Sequence, residues 1–338
     1  MQFKCKECDE GYKSLRSLHA HIKKHDVLLG DYYVKHFQRK DKLTGELLPF
    51  KKYDQYFNAH FINTSNMRKW CKTAPREDVE DFVINSIKDK LTSKGMEAGP
   101  PSLYLETAGL PDMEICKDVF GSYTETCKKF GMLPMLSGQM PKSFSKDFSD
   151  TPILIDTREK LPLQFKNSRM LKLDVGDYGV SGDFYDYTFV DRNSYQDFGA
   201  TVTGGYARFV KELERGRSLG CFLFIVIECD FDQIYWKNKS VYKKFNLGYV
   251  LHCMRTIQAE YSDCCQFVFS GSREQSVKLI PKILVLGSKL WKVDLQYFWN
   301  KEIKKDGLGN RKSETTQRIQ GYKPTGFRQR GLFGRGRS

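Results

Sequence analysis

Several acids in this sequence close apolar, strand-like runs. The stretch TPILIDTREKLPLQF reads as a buried strand ending in Asp156, Arg158 and Glu159. LKLDVGDYGVSG reads as a second strand, breaking at Gly176-Asp177. YTFVDRNSYQDF reads as a third that delivers Asp191, Arg192 and Asn193, with Asp197 at the start of a helix, and CFLFIVIECD as a fully apolar strand ending at Glu228. Acids that end consecutive strands face one crevice, where they repel each other unless a divalent cation holds them. An all-oxygen ligand set suits Mg2+ or Mn2+. Such an ion generates hydroxide, orients a phosphate and stabilises a leaving oxygen. The bland alternative is that each acid merely caps a turn.

A second set of chemical residues lies at the start of the chain. FKCKECDEGYKSLRSLHAHIKKH carries Cys5-x2-Cys8, then twelve residues to His21 and three more to His25. Two cysteines on a tight turn and two histidines one helical turn apart offer a tetrahedral zinc site. Phe3, Tyr12 and Leu18 fall where so small a unit needs its core. Ligands and core positions together resemble a C2H2 zinc finger, which implies a ββα fold. The resemblance puts the base-reading positions on Ser14, Ser17 and Ala20, with Arg16 beside them. Small side chains reach little, and one finger spans about three base pairs. A backbone clamp or protein-contact module is therefore expected above sequence readout, which weakens a third reading, a zinc-finger regulator of transcription.

The elements that must position these residues separate by composition. Residues 31–134 are helix-rich and basic, with aromatic clusters YYVKHF and YDQYFNAHF. RKDKLTGELLPFKKYDQYF suggests a hairpin around Thr44-Gly45, then a helix ending near Trp70. Its aromatics interleaved with lysines suit base stacking or a small core equally. EDVEDFVINSIKDKL is an amphipathic helix, and the GLP and FGSY that follow punctuate short ones. Residues 78–134 resemble the small helical repeat that accompanies homing endonucleases and other phage-type DNA enzymes. That likeness implies DNA contact by Lys117, Lys128 and Lys129. Residues 135–150, rich in Ser, Pro and Gly, read as a linker, and 151–300 alternate strand-like with helical runs, as an α/β domain does. The Gly/Arg-rich tail, 301–338, has no period that could bury a core and is expected to be disordered.

Within 151–290 the motifs fall in a family's order. DTRE at 156–159, GDY at 176–178, DRNSYQD at 191–197 and VIE at 226–228 resemble the nuclease domain of the XPF/Mus family, a branch of the PD-(D/E)XK nucleases. GYARFVKELERG resembles the helix after the site in small bacterial and phage members. The resemblance implies a restriction-endonuclease-like α/β fold, a mixed central sheet flanked by helices, and phosphodiester hydrolysis. It places Asp177 and Asp191, with the Arg192 carbonyl, on a Mg2+ or Mn2+ ion. Asp156 and Asp197 would complete the acidic cluster or orient water. Arg158 and Arg192 would hold carboxylates or the scissile phosphate, and Arg208 would contact a DNA strand. Two departures stand out. Asp191 replaces the family Glu, and Asn193 replaces the family lysine that steadies the attacking water or the transition-state charge. Lys211 or Lys172 could supply that cation. A tandem helix-hairpin-helix is not found after residue 300. Family members often pair, so a homodimer or a second nuclease-fold subunit is expected.

Composition bounds the whole. The chain has 338 residues, enough for two or three domains, with 40% hydrophobic and 14% aromatic residues, as globular chains have. The formal net charge is +14, and the stretch 301–338, with eleven Lys/Arg against three acids, supplies +8 of it. Such an excess suits a polyanion, because each neutralised phosphate releases counterions. DNA is the expected partner. The ten cysteines, one metal-type pair and the rest scattered, fit a reducing compartment. Neither a membrane span nor a signal peptide is read, so a cytoplasmic protein is expected, in the host cytoplasm if viral. The leading expectation is a metal-dependent DNA endonuclease of DNA repair, recombination or replication, acting on branched, flapped or nicked DNA. The alternative is a catalytically inactive DNA-binding protein that keeps the nuclease fold.

Overall fold

One long apolar strand organises the C-terminal half. In β7 (Phe222–Glu228), Phe222, Phe224 and Val226 join one buried cluster and Leu223, Ile225 and Ile227 another. Successive side chains of a strand point to opposite faces, so this one must be covered on both. In the computed structural model, which describes residues 3–234, 238 and 245–305, that cover is present. β7 belongs to a six-stranded sheet with β3 (Ile153–Asp156), β4 (Ser168–Leu171), β5 (Tyr178–Val180), β6 (Thr188–Ser194) and β8 (Cys265–Phe269). The strand order is β4-β3-β5-β6-β7-β8. The sheet is mixed: β3 runs parallel to β4 and β6-β7-β8 run parallel, whereas β5 is antiparallel to both β3 and β6. Helices α9 (Tyr195–Thr201), α10 (Tyr206–Ser218) and α11 (Leu247–Glu260) pack on one face. Helix α12 (Arg273–Leu286) and the start of α13 (Leu295–Lys305) pack on the other.

The second strand is displaced within its stretch: 171–182 holds β5, which follows the Gly176-Asp177 break and does not precede it. A further strand, β4, lies one segment earlier, and its four residues are exposed at the sheet edge. Residues 172–177 are irregular, although Leu173 and Val175 are buried. The cause is Gly176, whose φ is +67° and whose absent Cβ would lie 2.9 Å from the Val190 carbonyl oxygen. Only glycine turns the chain there at that approach. Asp177 then precedes β5 instead of ending a strand. Because β5 is antiparallel to β3, its start still lies beside the end of β3: the Asp156 N–H donates to the Asp177 carbonyl at 2.8 Å.

The N-terminal part is a ββα unit of β1 (Phe3–Lys4), β2 (Gly11–Tyr12) and α1 (Leu15–Ile22), whose start is capped by Ser14 Oγ accepting the Ser17 N–H at 3.1 Å. Next comes α2 (Leu29–His36), then the expected turn, where the Asp41 carboxylate accepts the Leu43 and Thr44 N–H groups at 2.8 and 3.1 Å. The helix expected to end near Trp70 is two, α3 (Tyr53–Asn58) and α4 (Thr64–Thr73), broken where Asn63 caps the second. Helices α5 (Arg76–Thr92), α6 (Ser102–Ala108), α7 (Met113–Phe120) and α8 (Tyr123–Lys129) share one buried cluster.

Two expectations about connections change. Residues 135–150 do not hang free: Phe144 is buried against α12, and the Gly138 N–H donates to the Lys292 carbonyl at 2.6 Å. The boundary at 300 falls inside α13, because Trp299 is buried and its indole N–H donates to the Ser270 carbonyl at 2.9 Å. From residue 306 onward the basic tail lies outside the described residues. Among the described residues no helix is long and apolar enough to cross a membrane.

Candidate active site and metal centre

Asp177 and Asp191 meet where β5 begins and β6 passes. The Asp177 N–H donates to the Val190 carbonyl at 2.8 Å, and its Oδ2 accepts the Arg192 N–H at 2.8 Å, so its main chain and side chain are both tied to β6. The two carboxyl groups lie close enough for each to act on the other's ionisation. Burial pushes Asp177 up to about 6, against the pull of the Arg192 N–H and of the Asp191 carboxyl. Asp191 is raised well above the carboxylate range, first by burial, then by the Asp177 and Glu212 carboxylates. Two carboxyls so close cannot both ionise cheaply, so the pair retains a proton when nothing else neutralises it. Asn193, 5% exposed, donates its amide to Asp191 Oδ2 at 2.9 Å and accepts the Thr201 hydroxyl at 3.3 Å.

The arginines around the pair are engaged elsewhere. Arg192 lies between Glu159 and Glu228, at 3.0 and 3.1 Å, all three nearly buried. Glu228 also takes Arg273 at 3.4 Å, which reaches the Leu161 and Pro162 carbonyls at 2.8 Å each. Arg192 therefore locks the ends of β3, β6 and β7 together through these carboxylates. Arg158, largely exposed, grips Asp156 with Nε and Nη2 at 2.6 and 3.1 Å. Asp156, 1% exposed, also accepts the Arg158 and Leu173 N–H groups at 2.8 and 2.6 Å. Burial alone would raise Asp156, but these bonds outweigh it and hold its pKa below the usual value. Its oxygens are spent on shaping the 172–177 segment, not on the acid pair. Asp197 is exposed at the first turn of α9, where Ser194 Oγ donates to its Oδ2 at 2.6 Å and accepts its N–H at 3.2 Å. That is a helix-start exchange, the bland role for this acid.

Sequence reasoning missed Glu212. It sits on α10 between the buried Phe209 and Leu213, half-buried, and its charge acts on both Asp191 and Arg158. The pattern that puts Phe209, Leu213 and Gly216 on the core side of YARFVKELERG was the available signal. Arg208 is four residues before Glu212, hence on the same side of α10, and both Arg208 and Lys211 are exposed. Lys172 is exposed beyond β4. Arg16 is exposed on α1, Lys117 on α7 and Lys129 on α8, while Lys128 pairs with Glu125 at 2.7 Å.

The N-terminal quartet forms a second centre. Cys8 Sγ lies 3.1 Å from His21 Nε2, Cys5 Sγ 3.6 Å from His25 Nε2, and the two Nε2 atoms are 2.9 Å apart. Zinc–ligand bond lengths imply tetrahedron edges of about 3.3–3.8 Å; the Cys5–His25 edge lies in that range and the other two fall a few tenths of an ångström short of it, so small side-chain shifts let the quartet hold a zinc ion. His21 turns its other nitrogen to Glu10 at 3.6 Å, as an oriented ligand does. Among the described residues this is the one group of three or more Cys, His, Asp or Glu whose ligand atoms lie within 4.8 Å of one another. Among the described residues the acid pair gathers no third such ligand at that distance.

No protein-family model and no curated protein matches the chain. Two solved structures show distant structural similarity. One is XPF from Aeropyrum pernix, with TM-score 0.31 and 19% identity over 40% of this chain and 66% of that one. The other is XPF from Aeropyrum pernix in complex with DNA, with TM-score 0.31 and 16% identity over 40% of this chain and 63% of that one. The matched region thus spans a little under two thirds of either structure's chain.

Proposed function

We propose that this chain is a metal-dependent DNA endonuclease that hydrolyses phosphodiester bonds in branched, flapped or nicked DNA. The observation that carries the reading is the Asp177–Asp191 pair: two carboxyls brought together at one end of the sheet, Asp177 held by the Arg192 N–H and Asp191 by the Asn193 amide, with burial raising the pKa of both. Their donor chemistry fits a hard divalent cation. Asp177, Asp191 and the Arg192 carbonyl are the groups that would hold Mg2+ or Mn2+. Bound there, such an ion supplies a water activated near neutral pH and charge neutralisation at the phosphate. The chain's own residues prepare the site. The Arg192 N–H and the Asn193 amide each fix one carboxyl oxygen, and the Glu159–Arg192–Glu228 network holds the strand ends rigid. Arg208 and Lys211, with Arg16, Lys128, Lys129, Arg158 and the basic tail, are the proposed DNA contacts. A second subunit belongs to the same proposal.

The test is cleavage of a panel of flaps, forks, nicked and linear duplexes with Mg2+ or Mn2+. Asp177→Ala or Asp191→Ala should lower the rate at least about a hundredfold and leave DNA binding intact or tighter, because an acid near phosphate is removed. A wild-type protein that binds these substrates but cuts none supports the second reading, an inactive nuclease-fold binder. Its specific support is Asn193, a neutral group where a cation would face the acids. Among the described residues neither Asp177 nor Asp191 forms a salt bridge.

A further inference from the structure

We infer that the Cys/His unit is not a free-standing finger but the metal-holding corner of one module running from Phe3 to Ile62, with Tyr32 as the residue that positions the Cys5 thiolate. The buried cluster around the quartet contains Cys5, Leu18 and Ile22 from the ββα unit and Tyr32, Tyr33, Leu48 and Tyr56 from the segment that follows. Each of the seven is at most 5% exposed. The aromatics of YYVKHF and YDQYFNAHF are thus largely the second half of a core, and its three buried tyrosines are not open to stack on bases.

Tyr32 occupies the join. Its ring is fully buried, and its hydroxyl oxygen accepts the Lys6 N–H at 2.7 Å within the cysteine turn. Lys6 is the residue next to Cys5, and both Cys5 and Tyr32 belong to the same buried cluster. The bond from the Lys6 N–H to the Tyr32 hydroxyl therefore fixes the turn that carries Cys5, an outer contact of the kind that sets a metal ligand's direction. Two further ties close the join. Glu7, between the cysteines, accepts Lys35 and His36 from α2 at 2.8 and 2.7 Å, and the Tyr33 hydroxyl meets His19 Nε2 at 2.9 Å. A small unit that depends on metal for its fold passes that dependence to whatever shares its core. Zinc at the quartet therefore stabilises residues as far as α3.

The experiment uses the full chain, with hydrogen exchange followed with and without a zinc chelator and zinc affinity measured by chelator competition. On zinc removal, amides of 29–57 lose protection together with those of 3–25, while β6 and β7 keep theirs. Tyr32→Phe, which removes only the hydroxyl, lowers zinc affinity about tenfold to a hundredfold. Tyr33→Phe, which breaks the His19 contact in the same core, leaves affinity within about twofold of wild type. Protection of 29–57 that is indifferent to zinc overturns the shared module. Equal affinity for Tyr32→Phe and wild type, or an equal loss in both variants, overturns the positioning role. The outcome is independent of whether the chain cuts DNA.

Discussion

Asn193 decides how the acid pair is balanced. Its amide satisfies Asp191 without bringing charge, and Thr201 orients it. Asn193→Lys would place an ammonium beside both carboxyls, and we expect it to preserve cleavage or raise it by up to about a hundredfold, measured as single-turnover rates. Asp177 makes a separate pH prediction. Its pKa rises from 3.8 to about 6 on folding, so between those values the folded state binds more protons than the unfolded. Stability from this group is present below the lower value and is lost as pH rises through the higher one. Without divalent cations, Asp177→Asn should flatten the fall in melting temperature between pH 4 and 6, relative to wild type. A divalent ion should restore more stability at pH 7.5 than at pH 5, because it competes with the proton the pair retains. Identical profiles for both proteins would show that the pair holds no shared proton. At this scale the acids themselves were legible in the sequence. Their partners were not: nothing in DTRE says that Arg158 consumes Asp156, since that depends on the Leu173 N–H arriving from a bend elsewhere.

Among the elements, β3, β6 and β7 were readable because apolar residues buried on both faces form continuous runs. β4 was missed for the converse reason. An edge strand with four exposed residues carries no burial signal, whereas Leu173 and Val175 imitate a strand by alternating inward from an irregular segment. The ββα unit was legible through its ligand spacing. Its fusion to α2 and α3 was not, since aromatic–lysine alternation fits either a core or an exposed face. The join between the helical segment and the sheet is equally silent in sequence. Asp294, at the start of α13, accepts the Ser102 N–H and hydroxyl at 2.6 and 2.7 Å across 192 residues, in a buried setting. Arg255 of α11 donates to the Thr107 carbonyl at 3.0 Å, and Tyr297 donates to Glu114 at 2.7 Å. Asp294→Ala strands the buried Ser102 N–H and should cost about 1–3 kcal/mol, read by urea denaturation. Amide protection should fall first in α6. A cost near zero would mean that this contact does not hold the join.

For the whole molecule, charge is divided between a folded body and the residues beyond it. Residues 306–338 carry eight Lys/Arg against two acids, so deleting them removes a formal +6. We expect weaker DNA binding and a shallower dependence of affinity on salt, by about one unit of log–log slope for each phosphate no longer neutralised. Cutting on pre-bound substrate should be unchanged. An unaltered salt slope would place all the phosphate contacts within the folded body. Among the described residues, side-chain contacts link the parts of the body in sequence. The Cys/His module meets the next helices through Asp41, which accepts the Ile62 N–H and the Asn66 amide at 2.6 and 2.9 Å, and through Lys42, which lies over Trp70. Those helices are in turn fixed to the sheet at Ser102, Thr107 and Glu114. Under the proposed function a chain built this way works as a gauge: the interval between the exposed side of α1 and the acid pair is set by packed side chains, so any footprint of the first should lie a constant number of nucleotides from a cut made by the second.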